Sequence, residues 1–437
     1  MKILLLSSFF YPDEHVGATR WNRLAKYLQQ YDHEVYVVTS DNGSAIKSSK
    51  YCKDIIRINS KASLPDQILN LINRAKKNTN LEIQRQTYST KKKLGIIGIY
   101  TRLMGFLGKL ARFPNSYWWS ASEMVKAGRG IINNNHIDII VATHPFPGCL
   151  KAAQLLSSKT KISWVADMRD GWSSYYWSEY PKGSLLNWGI VFLERYYLKK
   201  ASAVVTVNSK LATSLKVNID KVHVITNSFD FEELGIIQKT SLVSEENTIV
   251  FAFAGSIIEG HNWDVFLSGL AKSTNQNTRL KFIINYYGST FDLLIKRGLG
   301  AGLTADAFID HGYVSKAVLK QELRKVDFLV VFGFNGPYGN TVTTAKIFDY
   351  IEAAKPVIVV GNHESELASL VAETGIGIIA SNKSDIQNLV CDFLKDKDAF
   401  NNKIQAKVNE GNLANYSASE TAKVYSQLLS QLTGPAI

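Results

Sequence analysis

The chain has 437 residues, 46% of them hydrophobic and 20% charged, and carries a formal net charge of +12. That balance excludes a disordered or fibrous protein, and the length exceeds one ordinary core, so two domains of roughly 200 residues each are expected. The three cysteines, Cys52, Cys149 and Cys391, lie far apart without metal-type spacing, which excludes a disulfide framework and points to a reduced, cytosolic setting.

Residues 1–11 begin apolar but run into Pro12 and two acids. Such a run is too short to span a bilayer or serve as a signal peptide, and it suits a buried first strand over residues 2–8. Residues 18–30 carry Trp21, Leu24, Ala25 and Leu28 at helical spacing, and residues 32–39 read as a second strand. This β–loop–α–β opening belongs to a doubly wound α/β domain. The loop of residues 11–20 falls at the carboxyl end of the first strand, where such sheets place ligands, but lacks Gly-x-Gly-x-x-Gly. Gly17 either permits a turn there or lets a substrate approach the backbone.

Residues 70–112 hold ten Lys or Arg against one acid, Glu82, so most of the positive excess sits in one stretch. Within it, residues 94–112 written as a helix separate Ile96, Ile99, Leu103, Phe106 and Leu110 from Arg102, Lys109 and Arg112. With Lys91, Lys92 and Lys93 directly before it, this reads as a helix lying on an anionic membrane surface. The same apolar face also suits packing on the domain, and four glycines weaken an isolated helix. The stretch lacks the aromatic interleaving of an RNA site, so no nucleic acid is expected.

Strands follow at 137–142, 162–166, 203–207 and 222–225, each delivering polar residues at its carboxyl end. His144, Asp167, Arg169 and Asp170 are thereby expected at one crevice edge, although Asp167 and Arg169 would also make a purely structural pair. The pattern then restarts, with strands at 248–254, 280–285, 308–313, 326–332, 356–360 and 376–380. Helices are expected at 262–272 and at 316–325, the latter capped by Ser315. Between the strands at 326–332 and 356–360, a glycine-bearing loop feeds a helix carrying Lys346, Asp349 and Glu352. A loop feeding a helix start after a parallel strand is an anion site, because free N–H groups and the helix dipole face the ligand. A last helix at 417–432 crosses back to the first domain.

Several segments together resemble GT-B glycosyltransferases of the large retaining family 4 type, which serve bacterial capsule, O-antigen and exopolysaccharide synthesis. They are Phe10-Tyr-Pro with Gly17 and Arg20, Asp32-His-Glu-Val-Tyr-Val-Val-Thr39, Asp167-Met-Arg-Asp-Gly-Trp172, Leu193-Glu-Arg195, Asn227 with Asp230, Phe253-Ala-Gly-Ser256 and residues 344–358. The resemblance implies an α/β fold of two doubly wound Rossmann-like domains facing across a cleft, with a C-terminal helix crossing back. It divides the chain into an acceptor-side domain at 1–230 with a basic insert at about 62–115, a nucleotide-sugar domain at 231–415 and a crossover helix at 416–437. Carried over by position, Asp349 stands in the place of the family's ribose-binding glutamate. Thr343, Thr344 and Lys346 would hold the diphosphate beside Gly255 and Ser256, His144 would stand beside the transferred sugar, and Gly17 and Arg169 would complete the first-domain side. His144, Lys346 and Asp349 are the catalytic candidates.

The implied activity is metal-independent transfer of a hexose-type sugar from a nucleoside-diphosphate sugar, expected to be a UDP-sugar. The acceptor would be a lipid-linked or other glycan, and the protein would sit peripherally on the inner face of the plasma membrane. The chain departs from the family in two places. Thr341 stands where a first carboxylate is common, and Ser256, Glu259, His261 and Asn262 replace the usual Arg and Lys after Gly255. A nucleotide-sugar 2-epimerase and an inactive scaffold partner are the competing readings.

Overall fold

A computed structural model of the chain describes residues 1–49, 51–59, 109–110, 113–114, 116–174, 180, 182–215, 217–233, 247–258, 260–335 and 339–434. The first sheet contains β1 (Lys2–Leu6), β2 (Glu34–Ser40), β3 (Asp54–Ile58), β4 (Ile139–His144), β5 (Trp164–Met168), β6 (Ala203–Thr206) and β7 (Val222–Val224). Its order is β3-β2-β1-β4-β5-β6-β7, and every neighbouring pair is parallel. The second sheet contains β8 (Thr248–Ala254), β9 (Lys281–Tyr287), β10 (Phe308–Asp310), β11 (Phe328–Phe332), β12 (Val357–Val360) and β13 (Gly377–Ala380). Its order is β10-β9-β8-β11-β12-β13, again parallel throughout.

The central strands are apolar runs because helices cover both faces of a parallel sheet. β4 and β11 are buried along their full length. Both sheets are therefore doubly wound, and their strand order reverses between β1 and β4 and between β8 and β11. Ligands of such sheets bind beyond the strand ends at that reversal. His144 ends β4, Gly255 and Thr343 lie in the segments that leave β8 and β11, and Gly17, expected in a loop, lies instead in the first turn of the helix Val16–Leu28 after β1, which His15 caps by accepting from Gly17 N–H.

The helix Ala418–Thr433 crosses back as expected. Ser417 caps it by accepting from Glu420 N–H, and Ala422, Tyr425 and Leu429 join a core with Ile3, Leu5, Trp21 and Leu24 of the first domain. The two chain crossings run side by side, since Phe229 and Ser417 form a parallel bridge.

β3 was not anticipated. Its five residues include Asp54 and Arg57 on an edge strand, so the apolar signal of a central strand is diluted. The expected amphipathic helix at 94–112 lies outside the described residues, apart from residues 109–110. Among the described residues no helix is long and apolar enough to cross a membrane.

Candidate functional site

In the second domain, β8 ends at Ala254 and the chain turns at Gly255, whose φ of 118° is a glycine conformation. A β-carbon there would run into Nζ and Cε of Lys346. Lys346 opens the helix Lys346–Ala353, which follows β11. Its half-buried side chain reaches across the sheet end, with Nζ 4.6 Å from the centre of the Phe253 ring. No carboxylate among the described residues pairs with it, and burial alone lowers its pKa to about 8.

The amides of Thr343, Thr344 and Ala345 donate to no group among the described residues. Unpaired N–H groups at a helix start beside an unneutralised ammonium make a positive site without its counter-charge. Ser256 is exposed beside it. His261 packs against Phe332 and Phe334, with ring centres 5.9 and 4.6 Å away. Burial and then the Lys346 charge lower its pKa to about 4, so the ring is neutral and leaves the positive charge of this pocket to Lys346.

The first-domain side is built around His144, the buried last residue of β4. Its Nδ1 lies 3.0 Å from the carbonyl oxygen of Asp170. A carbonyl only accepts, so Nδ1 holds the proton and Nε2 keeps its lone pair. Nε2 is buried and has no partner among the described residues. Burial lowers the pKa of the ring to about 3. His144 is thus a neutral hydrogen-bond acceptor and a weak base.

Arg169 ties this side together, with Nε donating to His144 O at 3.0 Å and Nη1 to Gly17 O at 2.8 Å. The structure therefore brings Gly17, His144 and Arg169 to one edge. These two bonds give Arg169 a backbone-fixing role in addition to its charge. Gly17 is tightly enclosed, since a β-carbon would lie 2.8 Å from the Phe9 ring and 2.9 Å from His15 Nδ1. Asp167 does not pair with Arg169. It forms an ion pair with Arg20 at 3.0 Å and accepts from Trp21 Nε1 at 2.8 Å, both within the first domain.

The two halves meet directly. Asn208 Nδ2, at the end of β6, donates to Thr341 O at 2.8 Å and to Thr343 Oγ1 at 3.1 Å. Glu14 accepts from Lys316 N–H at 3.2 Å. Asp349 Oδ1 pairs with Arg23 of the first domain at 3.2 Å and with Lys316 at 3.6 Å, which leaves Oδ2 for another donor. Glu352 is buried between Arg23 and Lys320. Arg23, Asn208, Lys316 and Lys320 were not anticipated. The one available signal was Arg23 itself, a cation beside the apolar Trp21–Leu24–Leu28 stripe where a surface helix keeps carbon.

Two doubly wound sheets with facing reversal points and a returning C-terminal helix decide the architecture. The chain has the GT-B fold. HepE of Anabaena, solved with UDP, superposes with a TM-score of 0.62 at 13% identity, covering 99% of this chain and 100% of that one. Sucrose-phosphate synthase from Thermosynechococcus elongatus gives 0.65 at 14% identity, covering both chains fully. A glycosyltransferase from Rickettsia africae gives 0.65 at 12%, covering 100% of this chain and 99% of that one. A protein described as a UDP-N-acetylglucosamine 2-epimerase, from Listeria monocytogenes, gives 0.54 at 10%, covering 100% of this chain and 97% of that one. These are likenesses of fold. No protein-family model and no curated protein matches the sequence.

Proposed function

We propose that the chain is a retaining glycosyltransferase that moves a sugar from a nucleoside-diphosphate sugar to a lipid-linked or glycan acceptor in cell-surface polysaccharide synthesis. A UDP-sugar is the donor this reading favours. The observation that carries it is the unneutralised ammonium of Lys346 against Gly255, within one turn of three unpaired amides. A diphosphate supplies the missing charge.

In this reading the β-phosphate leaves with the electron pair of the sugar C1–O bond as the acceptor oxygen bonds to C1. Lys346 and the amides of Thr343 and Thr344, fixed before the reaction, stabilise the charge that develops on the leaving group. No metal is assigned a part. Asp349 Oδ2 accepts from the ribose, and His144 Nε2 accepts from a hydroxyl of the transferred sugar. With its pKa near 3, His144 is too weak a base for the acceptor proton, which passes to the departing phosphate. The HepE complexes with UDP and with UDP-glucose support a donor of this class on this fold. A lipid-linked acceptor places the enzyme on the inner face of the plasma membrane, with the basic segment 91–112 against anionic lipid.

Incubation with a radiolabelled UDP-sugar, with and without a lipid-linked saccharide, tests the proposal. Label must move to the acceptor and UDP must be released only when acceptor is present. The Listeria likeness keeps one competitor in view, because the fold alone also serves 2-epimerisation. Isomerised sugar without acceptor would establish that reading, and absence of both binding and turnover would establish an inactive scaffold.

A further inference from the structure

The helix Leu185–Lys200 carries large apolar side chains on the side facing away from the protein. Leu185 is 87% exposed, Trp188 70%, Phe192 67% and Tyr196 40%. At 100° per residue these four fall within about 80° of arc, opposite the buried residues Ile190, Glu194, Tyr197 and Leu198. An ordinary surface helix places polar residues there. A contiguous apolar stripe left in water marks an interaction surface.

Charge selects the partner. The only acid on this helix, Glu194, faces inward, accepting from the N–H groups of Trp172 and Ser173 at 2.8 and 2.7 Å. The exposed charges, Arg195, Lys199 and Lys200, are all positive and lie beside or below the stripe. Trp and Tyr over a basic rim are the residues that sit at a lipid headgroup layer. Just past the most basic stretch of the sequence, Phe113 packs against Gly189 of this helix.

We infer that the outer face of Leu185–Lys200 docks on an anionic membrane surface, with Leu185, Trp188, Phe192 and Tyr196 entering the interface and Arg195, Lys199 and Lys200 on the headgroups. This seat is distinct from the segment 91–112. It rests on the proposed function only for what the docked protein acts on. The inner face of the same helix holds the loop of Trp172 through Glu194, and the Trp172 ring centre is 5.9 Å from that of His144, so docking would seat the first-domain side of the site next to a membrane-bound helix.

Flotation of the full chain with phosphatidylglycerol-containing vesicles, against pure phosphatidylcholine, tests this. Wild type floats with the anionic vesicles. Trp188→Ser/Phe192→Ser loses most of that binding, and Lys199→Glu/Lys200→Glu loses on the order of tenfold or more. Both variants keep the wild-type melting temperature and its shift with UDP. No flotation of wild type, or wild-type flotation of both variants, overturns the inference. So does a change from dimer to monomer in Trp188→Ser/Phe192→Ser with flotation intact, which would make the stripe a contact between copies of the chain. Absence of a UDP shift in wild type would count against the transferase reading and leave the docking result standing.

Discussion

Arg23 and Glu352 form a buried ion pair between the two domains. Arg23 also donates to Ser228 O, and Glu352 accepts from Asp230 N–H at 3.0 Å, so the pair clamps the chain where it passes from one domain to the other. Removing one member of a buried pair leaves an uncompensated charge, which costs about 3–5 kcal/mol. Glu352→Ala should lose stability on that scale in chemical denaturation of the full chain, and Glu352→Gln, which still accepts from Asp230, should lose less. A loss below about 1 kcal/mol for Glu352→Ala would show that the pair does not clamp the domains.

Lys346 should make the ligand-free protein less stable at neutral pH. Burial lowers its pKa from 10.5 to about 8. Between those values the unfolded chain binds more protons at this residue than the folded one, so its contribution to stability rises with pH across pH 8–10.5. Below pH 8 the residue costs on the order of 2 kcal/mol, discounted for its partial exposure. Lys346→Met should therefore melt higher than wild type at pH 7, with the gap closing by pH 10.5. A variant that melts lower at pH 7 would contradict the assignment.

His144 should act without titrating. With a pKa near 3 the ring stays neutral from pH 5 to 8, so the rate should show no histidine step in that range. His144→Ala removes one acceptor from a buried site, worth roughly 1–3 kcal/mol. Donor-sugar turnover should fall by about tenfold to a hundredfold while affinity for free UDP is unchanged. Weakened UDP binding would move His144 to the nucleotide.

Gly17→Ala tests the enclosed first turn of the helix Val16–Leu28 after β1. Its new methyl meets Phe9 and His15 at 2.8 and 2.9 Å, and overpacking of this kind costs typically 1–3 kcal/mol. The variant should melt lower and turn over more slowly, because the Gly17 carbonyl fixes Arg169. Unchanged melting would show that the Phe9 and His15 side chains have room to relax.

The sequence carried most of the fold, because buried parallel strands such as β4 and β11 are apolar runs that end at polar residues. β3 escaped because Asp54 and Arg57 interrupt an edge strand. His144, Arg169 and Gly255 lie at strand ends as expected, since a doubly wound sheet puts the ends at its reversal point on one side, whereas Lys346 and Asp349 lie on the helix after β11 and Gly17 in the first turn of the helix after β1. Their partners were not legible. Nothing local shows that Asp167 turns to Arg20 while Arg169 donates to the carbonyls of Gly17 and His144. Nor does any local pattern reveal that Arg23 reaches Asp349, 326 residues on, because such contacts exist only after the domains meet.

Calorimetric titration of UDP into wild type and Lys346→Met tests whether Lys346 holds the diphosphate. Wild type should bind saturably and the variant at least tenfold more weakly, since the lost charge–charge contact is worth about 1.4 kcal/mol or more. Equal affinity of the two proteins, or no binding to either, would contradict that role.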